Sequence, residues 1–144
     1  MLLEGSCLCG GVAFQIRTFG NNIAHCHCTM CQKFHGAAFS TFLPVNIEHI
    51  TWRQGNALLR TYTAHNGSKR QFCQNCGSSL TFQSANTSDS QSLEIALATL
   101  NVPTAPTAAN RKLPQPDAHV HTKSQVSWYT INDTLPQYPG DRES

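Results

Sequence analysis

Seven cysteines constrain this 144-residue chain more than any other feature, because they fall in three tight clusters: Cys7-x-Cys9, Cys26-x-Cys28-x-x-Cys31 and Cys73-x-x-Cys76. Every sulfur has a neighbour two or three residues away, which is the spacing of ligands that chelate one ion. Seven divides into four plus three. Four protein ligands close a zinc site and make it structural, whereas three leave a position for water or substrate. A disulfide framework is the competing explanation. It suits small secreted domains, pairs cysteines distant in sequence, and would strand one thiol of seven. The opening Met1-Leu-Leu-Glu-Gly-Ser-Cys7 has no basic start, sustained apolar stretch or small-residue cleavage site, so it does not read as a secretory signal.

No run approaches the roughly 18 apolar residues of a membrane-spanning helix. The length suits one domain over residues 1–144 with a modest core, and the expected location is cytoplasmic. Metal loading changes the charge. From a formal +2, seven thiolates subtract seven and two zinc ions add four, leaving about −1. Arg60, Lys69, Arg70, Arg111, Lys112 and Lys123 form no dense basic stretch, so a nucleic-acid surface is not expected.

Short segments rich in β-branched and aromatic residues alternate with turn signals, predicting a mainly β domain. The expected strands are Val12–Arg17, Ala38–Leu43, Glu48–Trp52, Leu58–Thr63, Ser79–Gln83, Leu93–Ala98 and Val126–Ile131. One short helix is expected, capped by Thr29 and ended by Gly36, with Cys31 near its start. Four prolines between Asn101 and Ala118 predict an extended surface loop. Pro136 and Pro139 make the tail irregular, with Leu135 and Tyr138 as anchors. Trp52, Trp128, Tyr129, Phe34, Phe39 and Phe42 are expected in the core.

In an extended strand, side chains at i and i+2 share a face, so Cys7 with Cys9, and Cys26 with Cys28, each aim two sulfurs one way. His25 and His27 then point to the opposite face. The C-x-x-C of Cys73-Gln-Asn-Cys76-Gly77 needs a turn instead, and Gly77 permits the positive φ that brings backbone N–H groups toward sulfur. Spacing alone does not say which distant clusters meet. Cys7 and Cys9 with Cys73 and Cys76 is one pairing; a borrowed fourth ligand for Cys26, Cys28 and Cys31 is another.

Four stretches carry a family resemblance: Gly5-Ser-Cys-Leu-Cys-Gly-Gly-Val12, Cys26-His-Cys-Thr-Met-Cys-Gln-Lys33, Phe72-Cys-Gln-Asn-Cys-Gly-Ser78 and Leu135-Pro-Gln-Tyr-Pro-Gly140. Together they resemble the glutathione-dependent formaldehyde-activating enzyme family, which includes centromere protein V. The resemblance implies curved antiparallel sheets stapled by zinc, similar to a Rab-binding zinc protein and methionine sulfoxide reductase B. It implies a structural zinc on Cys7, Cys9, Cys73 and Cys76, and a catalytic zinc on Cys26, Cys28 and Cys31. The implied activity is that of a carbon–sulfur lyase, interconverting glutathione plus formaldehyde with S-hydroxymethylglutathione. The stretch from His119 to Trp128 resembles a family segment with His first, an acid fifth and Trp tenth. Here Lys123 stands in the acid's place and His121 where an apolar or aromatic residue is usual.

Three thiolates leave a zinc ion with a net charge of −1, a weaker Lewis acid than zinc on neutral histidines. Sulfur chemistry therefore suits the open cluster better than water activation. His119 and His121 are candidates for proton transfer, and Lys123 for the carboxylate of a glutathione-like ligand. The serines lack an identifiable base and orienting acid, so no nucleophilic triad is expected. Two further readings stay open: a noncatalytic zinc module that binds a protein, and a thiol redox or zinc-responsive protein.

Overall fold

The computed structural model describes residues 2–85, 91–101 and 113–142. Its strands are β1 (Leu3–Ser6), β2 (Ala13–Ile16), β3 (Ala24–Cys26), β4 (Ser40–Asn46), β5 (Ile50–Gln54), β6 (Leu59–Thr63), β7 (Lys69–Cys73), β8 (Ser79–Gln83), β9 (Ser92–Ala96) and β10 (Ala118–Val120). One α-helix, α1 (Thr29–His35), lies between β3 and β4. The strands form a three-stranded sheet ordered β1-β2-β5 and a seven-stranded sheet ordered β10-β3-β4-β9-β8-β7-β6. Among these strand pairs only β10 with β3 is parallel.

Period-two patterning explains why the sheets pack face to face. Leu3, Phe14, Ile16 and Ile50 of the small sheet meet Leu43, Val45, Leu93 and Ile95 of the large one in a single buried cluster. Phe14 and Trp52 add an edge-to-face contact at 5.6 Å. Burying each such side chain contributes roughly 1.5–3 kcal/mol before chain entropy is subtracted. This cluster occupies one face of the large sheet. On the opposite face, cross-strand register aligns Cys26 with Ser40, Ala24 with Phe42 and Ala96, and Pro44 with Glu94, Phe82 and Arg70. Helix α1 lies over this second face, where Cys31 packs with Phe42 and Ala96.

Six of the seven expected strands form, five within shifted bounds and Ser79–Gln83 with the expected ones. Val126–Ile131 does not. That segment is turn and coil, Gln125 Nε2 donates to the Tyr129 carbonyl at 2.9 Å, and Trp128 is 73% exposed rather than in the core. β propensity without a ladder partner was not enough. The cap of α1 is Cys28, whose thiol accepts from the Cys31 N–H, and Thr29 is the first helical residue. Gly36 ends the helix at φ 60°, as expected. Most of the proline-rich segment lies outside the described residues, and Ala118 at its end belongs to β10 rather than to a loop. The tail is pinned by backbone bonds: His119 N–H donates to the Pro136 carbonyl and Tyr138 N–H to the His119 carbonyl, both at 2.9 Å.

Candidate metal centres

Cys7 and Cys9 follow β1, and Cys73 and Cys76 flank the tight turn that leads from β7 to β8. The fold brings all four sulfurs together within 4.8 Å of one another. Cys7 Sγ lies 3.6 Å from Cys9 Sγ, which lies 3.9 Å from Cys73 Sγ. These separations are far beyond the roughly 2.05 Å of a disulfide, and all seven cysteines are free thiols. They match the roughly 3.8 Å between sulfurs that each sit about 2.3 Å from one tetrahedral zinc. Backbone N–H groups supply the expected compensation: Val12 donates to Cys7 Sγ at 3.2 Å and Gly11 to Cys9 Sγ at 3.4 Å. Gly77 has φ 78°, and its N–H bonds the Cys73 carbonyl. Burial pushes the Cys7 thiol up to about 11, whereas the Ser78 hydroxyl brings Cys76 down to about 5. The donor set fits a bound cation, which would keep all four as thiolates.

The second cluster joins the end of β3 to the first turn of α1. Cys26, Cys28 and Cys31 place their sulfurs within 4.8 Å of one another. Hydrogen bonds from Cys26 and Cys31 hold Cys28 well below the ordinary thiol range, and the same bond to Cys28, with burial, pushes Cys26 up. A bound cation would hold all three as thiolates. The guanidinium of Arg70 adds a buried positive charge, with Nη2 donating to Cys31 Sγ at 3.6 Å. These three sulfurs also fit a metal ion, with fewer protein donors than the first cluster.

A cavity of about 520 Å³ opens on this cluster and is lined by the three cysteines, Arg70, Glu94 and His121, among others. A groove of about 580 Å³ lies beyond Met30 and Arg70, which line both, but it carries no thiol. His121 follows β10 with φ 57°, a left-handed conformation that is costly for a residue other than glycine, and its Nε2 lies 3.0 Å from Asp141. Lys123 sits in the short 3₁₀ turn Thr122–Ser124 with its side chain exposed, outside the cavity lining.

His119 is placed on the other face of the sheet. Register pairs it with His25, while Val120 pairs with Cys26. Strand alternation thus turns both His25 and His119 away from the sulfurs, as was expected of His25 and His27. Asp133 accepts from His119 Nε2–H at 2.9 Å, which leaves His119 Nδ1 as the acceptor for His27 Nε2–H at 2.8 Å. His27 Nδ1 is then an unprotonated, buried nitrogen with no partner among the described residues. Burial, reinforced by His119, depresses His27 to about 4. The hydrogen bond from His119 holds Asp133 below the usual carboxylate range. This relay ties the cysteine-bearing strand β3 to β10 and the tail.

Residues 2–124 match the family model of the glutathione-dependent formaldehyde-activating enzymes. The chain belongs to that family. Among solved structures it is similar to a crystallised Rhodobacter sphaeroides protein, at 18% identity and a TM-score of 0.57, over 77% of this chain and 96% of that one. That likeness concerns the fold. No curated protein matches the chain. The family brings a glutathione-related, formaldehyde-activating function to a domain whose two cysteine clusters have the geometry to hold metal ions.

The sequence reasoning passed over two residues of the cavity. Arg70 counted only as one of several surface cations, yet it is 4% exposed. Glu94 stood inside Leu93-Glu-Ile-Ala-Leu-Ala98, and a lone carboxylate in an apolar strand was the signal available.

Proposed function

We propose that this chain is a zinc-dependent carbon–sulfur lyase that interconverts a thiol plus an aldehyde with their S-hydroxyalkyl adduct, glutathione and formaldehyde being the pair the family indicates. In this reading residues 1–144 form one domain. Cys7, Cys9, Cys73 and Cys76 hold a structural zinc, and Cys26, Cys28 and Cys31 hold a second at the cavity. The observation that carries the reading is the difference between the clusters: one has four sulfurs, whereas the other has three and adjoins a cavity with room for a ligand.

A zinc ion on the second cluster would supply a soft Lewis acid that lowers the pKa of an incoming thiol. The chain's own residues do the rest. Arg70 places a fixed positive charge beside Cys31 and offsets the negative charge that three thiolates and a substrate sulfur gather there. The walls formed by Phe42, Phe82 and Val120 exclude water from the reacting carbon. His121, facing the cavity near Asp141, is the histidine available to a ligand, whereas His119 stabilises the strand behind it.

The test combines metal and thiol analysis with an aldehyde-exchange assay. Two zinc ions per chain, and exchange between glutathione and formaldehyde that Cys31→Ala abolishes while one zinc and the fold remain, are expected. Exchange unchanged in Cys31→Ala, or one zinc per intact chain, would sink the proposal.

A further inference from the structure

Arg70 is an unusual residue to find inside a small β domain. It projects from β7 on the cysteine-bearing face of the large sheet, with its guanidinium 4.6 Å over the Phe82 ring and 5.6 Å from the Phe34 ring. The aromatic faces support the charge from either side. Nη2 donates to Cys31 Sγ. Nε and Nη1 are buried and have no acceptor among the described residues. Leaving two guanidinium donors unpaired in a buried site is costly, and native proteins satisfy such groups almost without exception. Both donors belong to a side chain that lines the three-cysteine cavity as well as the groove beyond it, and a ligand beside the sulfurs is an acceptor that could satisfy one of them.

Glu94 stands across Phe82 from Arg70. Register sets Phe82 opposite Glu94 on one side and Arg70 opposite Phe82 on the other, so the three side chains rise from the same face in neighbouring strands. Glu94 lines the same cavity. Burial raises its pKa, and the attraction of Arg70 only partly opposes this. The cavity therefore presents three sulfurs, a hydrogen-bond donor beside Cys31 and a carboxyl group.

We propose that Arg70 and Glu94 handle the substrate's oxygen: Arg70 donates a guanidinium N–H to the oxygen on the aldehyde-derived carbon, and Glu94 exchanges the proton with that oxygen. The inference rests on the thiol–aldehyde reading above. In the forming direction, the thiol gives up its proton and the sulfur electron pair makes the C–S bond. The carbonyl π pair moves onto oxygen, where an Arg70 N–H group meets it. Glu94, as the acid, protonates that oxygen, and its carboxylate recovers the proton the thiol released. In the reverse direction, the Glu94 carboxylate takes the hydroxyl proton, the C=O bond forms and the C–S pair leaves on sulfur. One proton has moved between sulfur and oxygen, and nothing is oxidised or reduced.

The test follows the Arg70 Nε–H directly by NMR in the ¹⁵N-labelled, zinc-loaded protein, with formate as a one-carbon oxygen probe. A buried Nε–H resonance that is absent from Arg70→Lys should shift saturably with formate. In turnover, Arg70→Lys should lower kcat by about 10²–10³-fold, the usual effect of losing one oxyanion donor. Glu94→Gln should lower kcat by about 10²-fold or more. The KM for glutathione should stay within about two-fold in Glu94→Gln, which leaves the sulfur end untouched, with zinc and thiol content unchanged in both variants. A resonance unmoved by formate, or a raised KM with kcat intact, would overturn the inference. A formate-induced shift in a protein that does not process glutathione and formaldehyde would support the oxygen site and refute the thiol–aldehyde reading. Turnover by intact protein with Arg70→Lys and Glu94→Gln equally active would do the reverse.

Discussion

His35 closes α1 with its ring edge-on to Phe34 and Phe42, at 5.8 and 5.5 Å. A helix C-terminus favours a cation by about 0.3–1 kcal/mol. Here the opposing effects win: burial, then repulsion from Arg70, depress the imidazole from 6.5 to about 4. The unfolded chain therefore binds a proton near 6.5 that the folded chain refuses until near 4. Stability is fully present above that window and falls as pH drops through it, levelling off below about 4. Between about pH 7.5 and pH 5 the loss from this one residue is about 2 kcal/mol. His35→Phe keeps the aromatic packing and removes the titration. Urea unfolding of both proteins at the two pH values, at fixed zinc, should show the wild type losing about 2 kcal/mol more than the variant. Thiol protonation and metal release act on both proteins and cancel in the difference. Equal losses would refute the claim that His35 is held neutral by its surroundings.

Cys73→Ser should release one metal ion per chain and unfold the protein at neutral pH, since a structural zinc contributes about as much free energy as a domain's net stability; circular dichroism with metal analysis checks this. His119→Leu leaves the buried His27 Nε2–H without its acceptor and should cost about 2 kcal/mol in urea melts, with the closed cluster's metal retained. Gly55→Ala would drive a Cβ into the Gly11 carbonyl oxygen at φ 83°, so at least about 2 kcal/mol should be lost in thermal or urea unfolding.

The cysteine clusters were readable because metal chelation imposes short-range spacing, and strands such as Ser79–Gln83 because a half-buried strand imposes alternation. Helix α1 was readable from Gly36, which the left-handed cap requires. Other elements follow tertiary rather than local rules. Leu3–Ser6 is short and carries Gly5, yet it forms because its partner Ala13–Ile16 offers a ladder. Lys69–Cys73 has polar residues at most positions, and its burial of Arg70 depends on Phe34, Phe82 and the thiols, which lie far away in sequence. Val126–Ile131 has strand composition but no neighbour to pair with. At the candidate site the sulfurs could be read one cluster at a time. The meeting of Cys7 and Cys9 with Cys73 and Cys76, the placing of Arg70 beside Cys31 and that of Glu94 in the same cavity required the sheet.

The parallel pairing of β3 with β10 sets an order of assembly during synthesis. Once the ribosome has released residues through Cys76, the four sulfurs of the closed cluster exist and could take up an ion. The three-sulfur cluster is complete earlier in sequence, but its strand remains an open sheet edge until Ala118–Val120 arrives and Pro136 and Tyr138 lock His119 in place. A nascent chain thus carries three accessible thiols through the synthesis of most of its length, and these compete for metal and oxidant before the cavity exists. The tail that covers this strand edge is thus the last part of the chain to be made, long after the thiols it helps enclose.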